Sequence, residues 1–385
     1  MTLPPPTLNE SAYAHFQENF VSRNELGASF AAWHDTTLTL DLAGGFQDRE
    51  KTIPWTSETP VLVWSATKAV SATCLLLALH LNNVSLDKPV AYLWPEFAQA
   101  GKDDTTIRMV LHHQAGLSAL DQPPDVYDRQ AVVIALEKQT PAWTPGSAQG
   151  YHPRTFGFLI DELNQRLTGE SIGSTWRTLF GDPLNLDFWI GLPEELHPRV
   201  APVFAPKATL SKEDPFMVAY MTPGSLTSRS FASPRGLHSA GGMNEVAART
   251  ACFPGWGGIG TAVALAKFYA MLASDGCHGG TRFLPSELVH AIFHSRTQAQ
   301  DLVLHIETAF SLGFMSDPLT SLGEKSRTVF GPSPIAAGHP GAGGSVAFAI
   351  PNTGIGCAYV MNQMETGVLP NLKCSGFWNA LFSAA

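Results

Sequence analysis

The sequence predicts an α+β fold of the α/β sandwich type, an antiparallel sheet flanked by helices with a mainly helical region inserted into it. Strand-like segments lie at both ends of the chain, at 28–33, 37–42, 310–315, 345–350 and 356–361, while the middle reads as helix and loop. Of the 385 residues, 44% are apolar and 15% charged, enough for a sizeable core. Residues 1–84 and 259–385 are therefore assigned to one sheet domain, 85–258 to the insertion, and the active site to the cleft between them.

Each element has a local reason. Ser11 to Ser22 is amphipathic at helical period. Ala28–Trp33 and Thr37–Leu42 flank His34-Asp35, a hairpin turn. From Ser65 to His80 an apolar stretch predicts a buried central helix. Short helices are expected near Pro89–Trp94 and Thr106–His113, and longer ones at Asp128–Gln139 and Thr155–Leu167, the last closed by Gly169. Gly181 to Gly258, rich in Pro and Gly, reads as a long ordered excursion lining the site. Thr261–Ser274 is helical, Asp275-Gly276 and Gly279-Gly280 are turns, and Leu369–Phe382 is a closing helix.

Composition excludes several functions. A net charge of −9 without a basic stretch argues against nucleic acid and anionic membranes as partners. The N-terminus lacks a basic region followed by an apolar stretch, and no apolar run approaches a membrane span; Leu75–Leu81 is too short. Five cysteines without CxxC spacing read as reduced thiols, so the expected location is cytoplasmic.

The chemistry sits in three short patterns. Ser65 and Lys68 lie at i and i+3, on one helix face, where hydroxyl and amine can share a proton near the positive helix end. Tyr151, in Gly150-Tyr151-His152-Pro153, follows a Pro-Gly turn and can project from a loop into a cleft. Gly338-His339-Pro340-Gly341-Ala342-Gly343-Gly344-Ser345 opens a late strand, where glycine lets a ligand or backbone approach closely.

Together these patterns resemble the serine β-lactamase/penicillin-binding-protein-like hydrolases, and most closely the family VIII carboxylesterases. Ser65-Ala-Thr-Lys68, Tyr151-His-Pro153 and His339-Pro-Gly341 match the three motifs in order, and Trp143-Thr144-Pro145-Gly146 and Tyr359-Val360-Met361-Asn362 match flanking stretches. The resemblance implies a β-lactamase/transpeptidase-like fold and an acyl-enzyme on Ser65. It implies Tyr151 as general base, its tyrosinate stabilised by a cationic neighbour, with Lys68 as proton partner. The reverse assignment is the alternative. It further implies an oxyanion hole from the Ser65 and Ala342 amides, and His339, Gly341, Pro153 and Trp256 as substrate contacts. No cofactor and no metal are expected.

Two departures narrow the substrate. Pro153 stands where the β-lactamases carry an amide-binding asparagine, and His339 where antibiotic-hydrolysing relatives carry lysine. Both weaken recognition of a β-lactam, so the expected substrate is a small, short-chain carboxylic ester. A β-lactamase, a D-amino-acid peptidase or amidase, an acyltransferase, or a silent binding domain of the same fold are the alternatives.

Other signals are set aside. Gly255-Trp256-Gly257-Gly258-Ile259-Gly260 matches a dinucleotide fingerprint, but Pro254 interrupts any preceding strand, and Gly260-Thr261 reads as opening a packing helix. His112, His113 and His152 have no metal-ligand spacing.

Overall fold

A computed structural model describes residues 6–207, 211, 213–237, 239–367, 369 and 372–382. Strands β1 (Gly27–His34) and β2 (Thr37–Gly45) form the first hairpin. Short strands β3 (Val61–Leu62), β4 (Phe188–Ile190) and β5 (Gly258–Gly260) make a separate sheet in the order β3-β5-β4. A small hairpin, β6 (Cys277–His278) and β7 (Thr281–Arg282), precedes the late strands β8 (Thr297–Gln300), β9 (Glu307–Ser311), β10 (Phe314–Ser316), β11 (Ala337–Pro340), β12 (Val346–Ile350) and β13 (Ile355–Met361). The main sheet has eight strands in the order β2-β1-β13-β12-β11-β10-β9-β8, every pair antiparallel. The first and last strands of the chain therefore pair at its centre, from Ala28 opposite Met361 to His34 opposite Ile355.

Alternation along β13 explains the two cores. Cys357, Tyr359 and Met361 pack with Phe16, Phe377 and Trp378 of the terminal helices Glu10–Val21 and Leu372–Phe382. Ala358 and Val360 face the opposite way, into the core that holds Leu265 and Phe268 of the helix Ala262–Ala273. That helix lies so close that a Cβ on Gly356 would meet the Ala270 nitrogen at 2.1 Å and the Ala266 oxygen at 2.3 Å. The helix Thr67–Leu81 is the hub of this second core, with every residue from Thr67 to Leu79 buried.

Several sequence expectations change. Trp64–Leu81 is long and apolar enough to cross a membrane, contrary to the reading of its shorter stretch, yet it is 78% buried inside the protein. The segment 310–315 is two strands, because Leu312 and Gly313 take positive φ (50° and 86°) and reverse the chain. The excursion 181–258 holds β4 and the helices Pro215–Met221, Leu226–Ala232, Ala240–Met243 and Val246–Thr250. Helices this short complete too few turns to show an apolar period. Helix Ser286–His294 and edge strand β8 likewise had no counterpart in the sequence reading. Two other expectations hold closely: Thr261 caps Ala262–Ala273 by accepting from the Ala264 amide, and Gly169 ends Thr155–Thr168 in the left-handed region.

Gly356→Ala should destabilise the protein by about 2–4 kcal/mol, because an added methyl meets helix backbone that cannot give way. Equilibrium denaturation checks this; an unchanged midpoint would contradict the close helix–sheet approach.

Candidate active site

Ser65 sits in a 3₁₀ turn, Trp64–Ala66, that runs directly into the helix Thr67–Leu81. The turn is held from three sides. Val63 N–H donates to the Gly258 carbonyl at 2.9 Å. Thr67 Oγ1 donates to the Trp64 carbonyl and accepts from Gly258 N–H at 2.8 Å. The end of β11 presses on it, since a Cβ on Gly341 would lie 2.1 Å from the Val63 oxygen. Trp64 has φ of 51°, a costly conformation for a bulky residue and one that persists only where surroundings impose it.

Lys68 is fully buried. Its Nζ lies 3.2 Å from Ser65 Oγ, 2.8 Å from the Pro153 carbonyl and 2.7 Å from the Gly255 carbonyl. Among the described residues no carboxylate pairs with it, and burial pushes its pKa well below the ordinary lysine value. An uncharged amine has two hydrogens and one lone pair. In that form the two carbonyls take the hydrogens and the lone pair is left for the Ser65 hydroxyl, to which the ammonium form instead donates.

The Tyr151 ring lies 4.9 Å from Lys68 Nζ and is almost wholly buried. Burial pushes its phenol above the usual tyrosine range, a hydrogen bond with the Ser65 side chain acts in the opposite direction, and the Asp301 charge adds to the rise. Burial therefore disfavours the charged form of both groups, the tyrosinate and the lysine cation alike.

Three imidazoles surround this pair, and a fourth, His112, adjoins His113 in the chain. His339 Nδ1 is 2.8 Å from the Pro340 carbonyl, and its buried Nε2 has no partner. Burial first, and then the Lys68 charge, lower its pKa to about 3. Burial lowers His152 to about 3 as well, and its ring bridges the Gly150 carbonyl (2.7 Å) and Leu117 N–H (2.9 Å). His113 accepts from the His152 amide at 3.1 Å and packs 5.0 Å from Tyr151. Burial lowers His112 to about 4. These rings brace the loop as neutral groups. Among the described residues no cluster of three or more His, Cys, Asp or Glu is placed to hold a metal ion.

The β11–β12 connection is a tight turn: Gly341 N–H donates to the Ser345 carbonyl at 2.6 Å and Gly344 N–H to the Gly341 carbonyl at 3.2 Å. Ala342 is half-buried at its tip. Buried polar atoms without partners gather around the cleft: Trp64 Nε1, His113 Nε2, His339 Nε2 and Ser345 Oγ. Such atoms are rare in a finished core and mark where water or substrate completes the bonding.

Ser65, Lys68 and Tyr151 thus meet, with His339 beside them. Of the expected substrate contacts, Pro153 turns its carbonyl onto Lys68, and Trp256 is only 5% exposed, stacked on Phe253 at 4.6 Å. Sequence reasoning missed the Gly255 carbonyl, which as a backbone group carries no residue signal. It missed Arg154, whose guanidinium donates to the carbonyls of Pro234, Gly236 and Leu237. It also missed Asp301, a lone acid 150 residues away that accepts from Tyr151 N–H.

Comparison with known proteins agrees with this geometry. A family model described as "Beta-lactamase" matches residues 12–372. The "Esterase/beta-lactamase LipL" of Mycobacterium tuberculosis is 30% identical, across 91% of this chain and 80% of its own. Among solved structures, a family VIII carboxylesterase superimposes with a TM-score of 0.86 at 29% identity, covering 100% of this chain and 99% of the other. A penicillin-binding-protein homolog from Caulobacter crescentus gives 0.84 at 33% identity, covering 98% and 99%. The catalytic cleft, the sheet built from both chain ends and the match along nearly the whole sequence place this chain in the Beta-lactamase family, as a serine hydrolase of the β-lactamase fold.

Proposed function

We propose that the protein is a carboxylesterase that hydrolyses small, uncharged short-chain esters through an acyl-enzyme on Ser65. The observation that carries this reading is the Lys68 amine, held by two carbonyls with its remaining face 3.2 Å from Ser65 Oγ. Lys68 takes the Ser65 proton as Oγ attacks the ester carbonyl. The amides of Ser65 and Ala342 receive the developing oxyanion. The alkoxide then leaves, protonated by the Lys68 ammonium through the Tyr151 phenol. Water deacylates the serine along the same path in reverse. This reading adopts the alternative assignment of base and relay, and the burial that raises the Tyr151 phenol supports it.

The cleft favours esters over β-lactams for two reasons. Pro153 has no N–H or side-chain donor for a substrate amide, and its carbonyl already serves Lys68. His339 stays neutral, so it offers no cation to a β-lactam carboxylate. The relatives named as an esterase and a family VIII carboxylesterase support the same choice.

A panel of p-nitrophenyl esters from acetate to decanoate, with nitrocefin alongside, tests the substrate class. Short esters should exceed nitrocefin in kcat/KM by about 100-fold or more, on the scale by which an unmet polar contact discriminates. Faster nitrocefin turnover would overturn the reading. Ser65→Ala should abolish both hydrolysis and labelling by a fluorophosphonate. Lys68→Ala and Tyr151→Phe should each lower kcat by about 100-fold or more. A Tyr151→Phe variant keeping a tenth of the activity would remove the relay step.

The pH profile has a definite sign. A lysine whose pKa is depressed is an active amine above that pKa and an inactive ammonium below it, so kcat/KM should fall as pH drops through it. With its pKa near 3, His339 contributes no limb above pH 4, and His339→Gln should keep the acid limb in place. Movement of that limb in the variant would reassign it.

A further inference from the structure

We propose that Asp301 is a positioning residue for this reaction, fixing the Tyr151 phenol against Ser65 and Lys68 through the Tyr151 backbone. The proposal rests on the esterase reading and adds a residue to it. Asp301 directly follows β8 and is only 1% exposed. Tyr151 N–H donates to both of its carboxylate oxygens at 3.0 Å. Val303 N–H and Leu304 N–H reach Oδ1 at 2.8 Å each, and Thr308 Oγ1 reaches Oδ2 at 3.2 Å. Every contact is a donor, which favours the ionised carboxylate and opposes the burial that raises its pKa.

Two residues upstream of Tyr151 the same loop is tied again. The Gln149 carbonyl accepts from Leu302 N–H at 3.0 Å, and its amide group donates to Thr308 Oγ1 at 2.7 Å and the Thr308 carbonyl at 3.1 Å. Gly150 N–H donates to the His113 carbonyl at 3.1 Å. The catalytic tyrosine thus hangs from a three-residue segment bound at each position. Thr227 Oγ1 donates to the Val303 carbonyl at 2.8 Å, so the Leu226–Ala232 helix rests on this loop as well.

Fixing a loop does not by itself require an anion. Burying a carboxylate costs free energy, and among the described residues no lysine or arginine pairs with this one. Its charge has a use here. Tyr151 is faced by Lys68 and Ser65, by His113, and by His339 on β11. Among these groups Asp301 is the acid, and it opposes phenolate formation. Asp301 therefore acts twice on one residue, on its position and on its proton.

A double-mutant cycle between Asp301→Asn and Tyr151→Phe tests this, with ester kcat and KM and the rate of fluorophosphonate labelling at Ser65 as readouts. Asp301→Asn keeps the shape but presents an amide N–H₂ to N–H donors. In the wild-type background it should lower kcat by about 30- to 100-fold, the scale of a misplaced catalytic group, with KM changed less than about 3-fold. In the Tyr151→Phe background the same change should cost less than about 3-fold, because the group it positions is gone. Effects that multiply, or a wild-type kcat in Asp301→Asn, would overturn the proposal. Thr308→Val removes one donor to the same carboxylate. It provides a milder arm with the same expected non-additivity should Asp301→Asn not fold. Absent labelling of the wild-type serine would instead refute the esterase reading, so the two failures are distinguishable.

Discussion

Removal of Lys68 from water governs this active site. An ammonium in a dry interior needs a counter-charge, and the cleft supplies two carbonyl dipoles in its place. The charged form of the amine is thereby disfavoured, with two of its hydrogens bound by carbonyls. The same burial raises the Tyr151 phenol. One physical cause, exclusion of solvent, thus shifts both groups toward their uncharged forms. Electrostatics among the residues acts as a correction to it.

The fold exists to close that volume. The carbonyls that hold Lys68 come from residues 85 and 187 positions away in the chain. Pro153 is brought by the loop before Thr155–Thr168, which packs on the catalytic helix. Gly255 arrives just before β5, which pairs with β3 immediately upstream of Ser65. The small three-stranded sheet is therefore the device that joins the inserted region to the nucleophile. The large sheet contributes from the other side, through β11 and its tight turn against Val63. Pairing of β1 with β13 makes this possible, because it draws the end of the chain back beside its beginning.

Precision at Tyr151 comes from a further layer. His113, His152 and Asp301 all bond the backbone or pack on the ring of the loop that carries it. The histidines are neutral through burial, so they brace without adding charge, and the acid supplies a local negative field. Trp64, His339 and Ser345 each carry a buried polar atom without a partner. A site built in this way is rigid where the chemistry occurs and polar only where a ligand is to be met.

Much of this was legible in the residues themselves. An apolar stretch placed Thr67–Leu81, and helical patterning placed Thr155–Thr168 and Ala262–Ala273, because helices of three or more turns are long enough to be seen. Alternation placed the β1–β2 hairpin, and the spacing of Ser65 and Lys68 placed a hydroxyl and an amine on one turn. The short helices of 181–258 escaped, as did the break at Leu312-Gly313, since four to seven residues carry almost no period. Tertiary structure alone decided which group carries the proton. Charge state follows from desolvation and from backbone carbonyls brought in from distant positions, and no pattern of neighbouring letters records either. The sequence by itself determined which chemical groups are available and the local elements that bear them. Only the packed chain, by excluding water, decided the states in which those groups work.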